Sequence, residues 1–374
     1  MGARYQFGDF KINNLQADPA NLGVNVGYID PGSPYLAAQT IDSDFQRISF
    51  YGYHYWQLTP TIQISGGFSY DSIRFPENFR AAPVSSLETS IEQWSPKAGF
   101  IWTPTPQTSI HFGYMRALSG ASIDQSFLIE PSQVGGFNQS FRSIIPESVG
   151  GAEAGAKFEI IGLGLEQRFA SQTYVTLTGQ ILNSHVARSL GDFEFNIPRF
   201  NSIFAQPATT PDPLDYTERS ILININQLVG ECWSIGTSYR LSEAKLNQNF
   251  SDIGASAVSG GQIIGFSSTD NFKSVLQQIS LNAIYNNPAG FFVQGQALWN
   301  GQSSQGYQNY SSTPPDASFW QLNTFVGYRF CHRRAELKLG LLNLTDENYQ
   351  LNPLTLYNEL PHGLTFTARF QINF

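Results

Sequence analysis

Charge is what this 374-residue chain has least of, since Asp, Glu, Lys and Arg make up only 13% of it. A soluble domain normally covers its surface with about 25–35% of such residues, so this chain is not built to face water alone. It holds only 2 cysteines and 2 methionines. Cys232 and Cys331 fall beside short turns three strands apart. At about 4.8 Å per strand that gap is too wide for a disulfide. The histidines His54, His111, His185, His332 and His362 are scattered, without the spacing of a metal site. No serine stands in a G-x-S-x-G turn, so no cofactor, metal or catalytic constellation is expected and the chain is not read as an enzyme. A basic stripe is missing too, and the net charge of −8 argues against nucleic acid as a partner. No window offers about 18 to 20 continuous apolar residues, which excludes a transmembrane helix. A β-barrel escapes that test because only alternate residues meet lipid. The opening MGARYQFGDFKINN shows neither a basic-then-apolar leader nor a small-residue cleavage site. That fits either a leader already removed or a chain that continues a longer protein.

Glycine (33), phenylalanine (29) and tyrosine (17), by contrast, are abundant. From Leu364 to Phe374 the chain alternates without a break: Leu364, Phe366, Ala368, Phe370, Ile372 and Phe374 against Thr365, Thr367, Arg369, Gln371 and Asn373. A period of two is a strand with one apolar and one polar face. The same pattern predicts strands over residues 4–14, 44–58, 61–74, 94–102, 108–118, 158–169, 174–189, 216–228, 233–242, 274–285, 291–300, 319–330, 334–344 and 364–374. Short turns such as Thr59-Pro60, Thr103 to Pro106 and Asn287 to Gly290 alternate with long loops over 15–43, 75–93, 119–155, 190–214, 243–272, 301–316 and 346–361. Every short turn falls at one end of the array and every long loop at the other. The fold class read from this is all-β, an antiparallel transmembrane β-barrel of fourteen strands. It would be a single barrel unit over residues 1–374, with short turns periplasmic and long loops extracellular. Lipid forces such a sheet to close, because an open edge leaves backbone groups unsatisfied. Fourteen strands can close alone or supply about two thirds of a larger wall.

The alternation assigns a face to each residue. Ile62, Ile64, Leu163, Leu165, Leu177, Ile181, Val293, Leu337, Leu339, Phe366 and Phe370 point out to lipid. Toward the lumen point Asp71, Glu166, Arg240, Gln294, Gln296, Arg329, Glu336, Lys338 and Arg369, among other polar residues. A dry core does not tolerate that many polar groups, so a wet lumen carrying both signs of charge is expected, its charged groups solvated. Trp56, Trp102, Trp233, Tyr328, Phe330 and Phe374 gather near the short turns, as an interfacial aromatic belt would.

The C-terminal segment then carries a resemblance. Asn343-Leu344-Thr345-Asp346-Glu347-Asn348-Tyr349, followed by a last strand ending in Phe374, resembles the C-terminus of a TonB-dependent outer-membrane receptor. Trp94-Ser95-Pro96-Lys97-Ala98-Gly99 is similar to a segment of such receptors as well, and other stretches resemble a receptor-like subgroup sometimes fused to tetratricopeptide repeats. The resemblance implies that these strands belong to a barrel of about 22 strands in the outer membrane of a Gram-negative bacterium, importing a scarce nutrient: a chelated metal, a glycan or a peptide. It implies as partners the outer-membrane lipid, the barrel-assembly machinery that reads the terminal aromatic, a plug domain and the energy-coupling TonB protein. Neither a plug nor a TonB box is recognisable in these residues. Two other readings therefore stay open: a passive porin-like channel, and a surface or adhesion protein.

Overall fold

In the computed structural model the described residues are 1–17, 35–120, 130–139, 154–196, 204–252, 257–259, 262–264, 268–306, 317–330, 334–348 and 363–372. Eighteen strands form among them. They are β1 (Gly2–Ala17), β2 (Tyr35–Thr59), β3 (Ile62–Pro76), β4 (Glu88–Thr105), β5 (Thr108–Leu118), β6 (Gln133–Val134), β7 (Phe137–Asn138), β8 (Lys157–Arg168) and β9 (Thr173–Asn196). The series continues with β10 (Phe204–Val229), β11 (Trp233–Asn249), β12 (Ala257–Ser259), β13 (Gln262–Ile264), β14 (Thr269–Asn286), β15 (Phe291–Gln305), β16 (Ala317–Phe330), β17 (Ala335–Leu342) and β18 (Thr365–Ile372). Fourteen of them make one antiparallel wall in the order β1-β2-β3-β4-β5-β8-β9-β10-β11-β14-β15-β16-β17-β18, and β6-β7 and β12-β13 are small separate ladders. The fourteen wall strands are the fourteen that the alternation predicts. Each pairs with its sequence neighbour because a short turn leaves the returning strand nowhere closer to go.

Strand ends differ from the expectation more than strand identity does. β9 and β10 run well past residue 189 and start well before residue 216, so Pro207, Pro211 and Pro213 lie in strand, opposite Phe193, Ser189 and Ala187. Proline lacks the N–H of a ladder donor and is confined to edges. The ladder between β10 and β11 begins only at Leu214, so above it β10 is an edge beside β9 alone. Ser303 likewise stands in β15, opposite Val275, rather than in a loop.

The register fixes two faces. On β4, Gln93, Ser95, Lys97 and Gly99 are buried while Trp94, Pro96 and Ala98 are exposed. Carried across the ladders, the exposed face holds Trp94 at 64%, Leu163 at 60% and Phe366 at 65% exposure. A continuous apolar surface of that kind suits lipid, not water. The inner face is not uniformly polar. Toward the long loops Met115, Phe158, Ile160, Leu182, Val186, Leu214, Tyr216, Leu246, Phe272 and Leu276 form a buried apolar cluster. Toward the short turns the inner residues become Thr176, Thr178, Asn224, Asn282 and Gln296.

The wall is curled strongly enough to bring distant strands together at the long-loop end. There Ser189 Oγ on β9 donates to Glu77 at 2.6 Å, and the Gly191 amide donates to the Ala81 carbonyl at 3.0 Å. Both acceptors belong to the connection between β3 and β4, which stand four and three positions from β9 in the strand order.

Candidate functional site in the inner face

Part of the 119–155 segment, expected as an extracellular loop, lies inside the wall. β6 and β7 form a hairpin whose turn is Gly135-Gly136, with φ of +57° and +86°. A two-residue hairpin turn needs positive φ at both positions, which glycine adopts without strain. The hairpin rests on a seat of wall glycines. A Cβ on Gly99 of β4 would stand 2.4 Å from the Gly135 nitrogen, one on Gly113 of β5 2.8 Å from the Phe137 ring, and one on Gly162 of β8 2.5 Å from that ring. Three neighbouring strands thus give up a side chain at the place where the hairpin touches them.

A buried polar node ties the hairpin's flanks to the wall. Lys97 of β4, its side chain 1% exposed, pairs with Glu130 and donates to the Tyr53 hydroxyl of β2 at 2.8 Å. Tyr53 also donates to Glu130, and Gln139 Nε2 donates to the Tyr53 oxygen at 3.1 Å and to the Pro131 carbonyl at 2.5 Å. A second node lies nearby, where Arg47 of β2 donates to Asp71 at 2.8 Å and Ser49 Oγ donates to the same carboxylate at 2.6 Å. Burial in this setting is tolerable only because each charge is met by an opposite charge and further donors.

Against the hairpin lies a cavity of about 330 Å³ lined by its residues Gly136, Phe137 and Asn138 and by the inner faces of β5, β8, β9, β10 and β11. The ladders arrange the lining in rows. Ile160, Leu182 and Glu218 form the row nearest the apolar cluster; Gly164, Thr178, Leu222 and Arg240 form a middle row; Glu166 and Thr176 form a row nearer the short turns. Glu218 is buried and accepts the Tyr216 hydroxyl. His111 exchanges a hydrogen bond with Ser109 at 2.9 Å, and its ring stands 3.9 Å from Glu166. The cavity therefore offers a cation, two carboxylates, hydroxyls and amides around an apolar patch. Such a mixture positions a small polar solute.

Of the charged residues expected in the lumen, Glu166 and Arg240 line this cavity, together with Thr176, Thr178 and Gln180 of the same polar face. Asp71 is buried against Arg47 and Ser49 instead of being solvated. Gln294, Gln296, Arg329, Glu336, Lys338 and Arg369 occupy the inner face of β15 to β18 and make a separate network. Arg329 Nε donates to Glu336 at 2.9 Å and its guanidinium lies 4.2 Å from the centre of the Phe292 ring. Lys338 donates to Gln294 at 2.9 Å and sits 4.0 Å from the Phe325 ring centre; Gln296 accepts from Asn323 at 3.0 Å, and Arg369 donates to Gln371 at 2.6 Å. Arg329 and Glu336 thus neutralise each other, Lys338 meets an amide and an aromatic ring, and Arg369 stays exposed.

The C-terminal motif is a turn device. Asn343, with φ +54° and buried, receives the Glu347 amide on its side-chain oxygen at 3.1 Å, donates to the Glu347 carbonyl at 2.9 Å and donates its own amide to Asn323 at 2.9 Å. The Leu344 amide donates to the Leu322 carbonyl at 2.8 Å, and Asp346 accepts the Leu364 amide at 2.8 Å, just before the last strand. Tyr349 and Phe374 lie outside the described residues. Sequence reasoning missed Arg47, Tyr53, Glu130 and Glu218 as partners. Their residue types are ordinary, and only the inward fold of a segment far along the chain makes them neighbours.

Comparison with known proteins follows the same lines. A model of the TonB dependent receptor-like β-barrel matches residues 2–177. Among solved structures, the ferric-catecholate import receptor Fiu from K12 E. coli is 14% identical over 99% of this chain and 51% of its own, with a TM-score of 0.53. The copper transporter OprC is 12% identical over 93% of this chain and 51% of its own, with a TM-score of 0.50. At such identities the likeness is one of fold, and this chain spans about half the length of either structure. No curated protein matches it.

Proposed function

We propose that this chain, whose residues 2–177 match a model of the TonB dependent receptor-like β-barrel, is the barrel portion of an outer-membrane importer for a scarce nutrient. The observation that carries this reading is the inner cavity. The inner face holds a cavity of about 330 Å³ lined by charged, polar and apolar side chains, where a structural or adhesive wall needs none. A family of receptors and transporters also offers no precedent for an enzyme. The reading locates the chain in the outer membrane of a Gram-negative bacterium, inserted by the barrel-assembly machinery. It gives the chain a plug domain and the TonB protein as partners, and makes all 374 residues barrel. The substrate classes weighed are chelated metals, glycans and peptides, and the metal-linked names of the two solved structures keep the first among them.

The test is energy dependence. A strain lacking the gene is grown in competition with its parent where iron, copper or peptide nitrogen is limiting, with and without a protonophore at sublethal dose. The expected result is a disadvantage confined to one limiting nutrient, and accumulation of that nutrient that collapses with the protonophore. Accumulation that survives the protonophore and merely follows the external concentration would establish the passive channel instead.

A further inference from the structure

Resting on that reading, the geometry points to a more specific ligand: we propose that the cavity beside the β6–β7 hairpin takes a small zwitterion, an amino acid or dipeptide with an apolar side chain. Two features of the lining carry this. First, it has one charge of each sign left available. Glu166 is exposed, and the contact it makes among the described residues is with the His111 ring at 3.9 Å. Arg240 forms no ion pair and no side-chain hydrogen bond among the described residues, whereas Arg47, Arg188 and Arg329 of the same face each hold a carboxylate. Glutamate and arginine oxygens and nitrogens that are not spent on the wall are what an ammonium and a carboxylate require.

The second feature is where those charges stand relative to the rest. Glu166 pairs with Thr176, which pairs with Asn224, while Arg240 pairs with Leu222, so the two lie three strands apart and one row apart on the curved wall. Three strand spacings amount to about 14 Å along the sheet, a gap that two long side chains reaching over the same cavity would shorten to the span of a short peptide. Between them, Thr176, Thr178, Gln180 and Ser220 offer hydrogen bonds to a peptide unit. On the hairpin side, Ile160, Leu182 and Phe137 form an apolar patch that would receive the side chain. A polyol would leave both charges unmet, and a multiply charged anion would face Glu166 and Glu218 together.

The test is binding of alanyl-leucine to the purified full-length protein in detergent, read by calorimetry. N-acetyl-alanyl-leucine, alanyl-leucine amide and glucose serve as companions. The expected result is that blocking either terminus weakens binding about tenfold or more, and that glucose does not bind. In Glu166→Gln, acetylation should no longer matter while amidation still does; in Arg240→Gln the reverse should hold. Heat-modifiable gel mobility confirms that each variant is folded. The inference is overturned if the blocked peptides or glucose bind as well as alanyl-leucine, if the penalties are unchanged in the two variants, or if alanyl-leucine does not bind at millimolar concentration. An energy-dependent importer that fails this test remains an importer of something else, so the two results are separable.

Discussion

Lys97 is the residue on which the inner architecture turns. Its ammonium is almost wholly buried and meets Glu130 and the Tyr53 hydroxyl. Removing one partner of a buried ion pair strands the other and costs about 3–5 kcal/mol, whereas replacing both by apolar groups is often neutral. Lys97→Met is therefore expected to lower the stability of the reconstituted protein by that amount, measured by urea unfolding in lipid vesicles. Lys97→Met combined with Glu130→Leu should recover most of the loss. If the single and double variants are equally damaged, the pair contributes nothing and the node is held by Tyr53 and Gln139. Lys97 was noticed in the sequence only within a family-like segment. The sequence contains no sign of its partner, because Glu130 lies thirty-three residues away with no periodic relation to it.

At the scale of elements, the glycines divide into two kinds that look identical in the sequence. Gly162 faces the Phe137 ring, so a Cβ there would collide with it, while Gly179 of the neighbouring strand has nothing within 4 Å. Gly162→Ala is expected to cost about 1–3 kcal/mol by overpacking. Gly179→Ala should be neutral or stabilise by about 0.4–1 kcal/mol, since it only reduces the freedom of the unfolded chain. The apparent midpoints of heat-modifiable mobility would rank the two variants. Equal behaviour would mean that the hairpin does not press on β8. Prolines show the complementary lesson. Pro207, Pro211 and Pro213 read as loop, and they are strand because β10 outruns β11 and becomes an edge that needs no donor on its open side.

Across the whole molecule, orientation follows from the segregation of short turns and long connections. Ser303, exposed near the long-connection end of β15, and Ser171, exposed in the turn between β8 and β9, stand at opposite ends of the wall. With Cys232 and Cys331 replaced by serine, Ser303→Cys is expected to react with an impermeant maleimide on intact cells, and Ser171→Cys only after the outer membrane is ruptured. The reverse order would invert the wall and place the cavity's hairpin on the periplasmic side. Outward residues such as Leu163 and Phe366 then meet hydrocarbon in either orientation, since their face is set by register and not by direction.

What the sequence determined by itself is whatever depends on period two. The fourteen wall strands and their antiparallel order follow from alternation and turns, because neighbours along the chain are neighbours in the wall. Only the tertiary structure decided what fills the concave side. The inward hairpin, its glycine seat, the Lys97–Glu130 node and the grouping of Glu166 with Arg240 join residues from strands several positions apart. Curvature brings such residues together, and curvature leaves no periodic trace in a sequence.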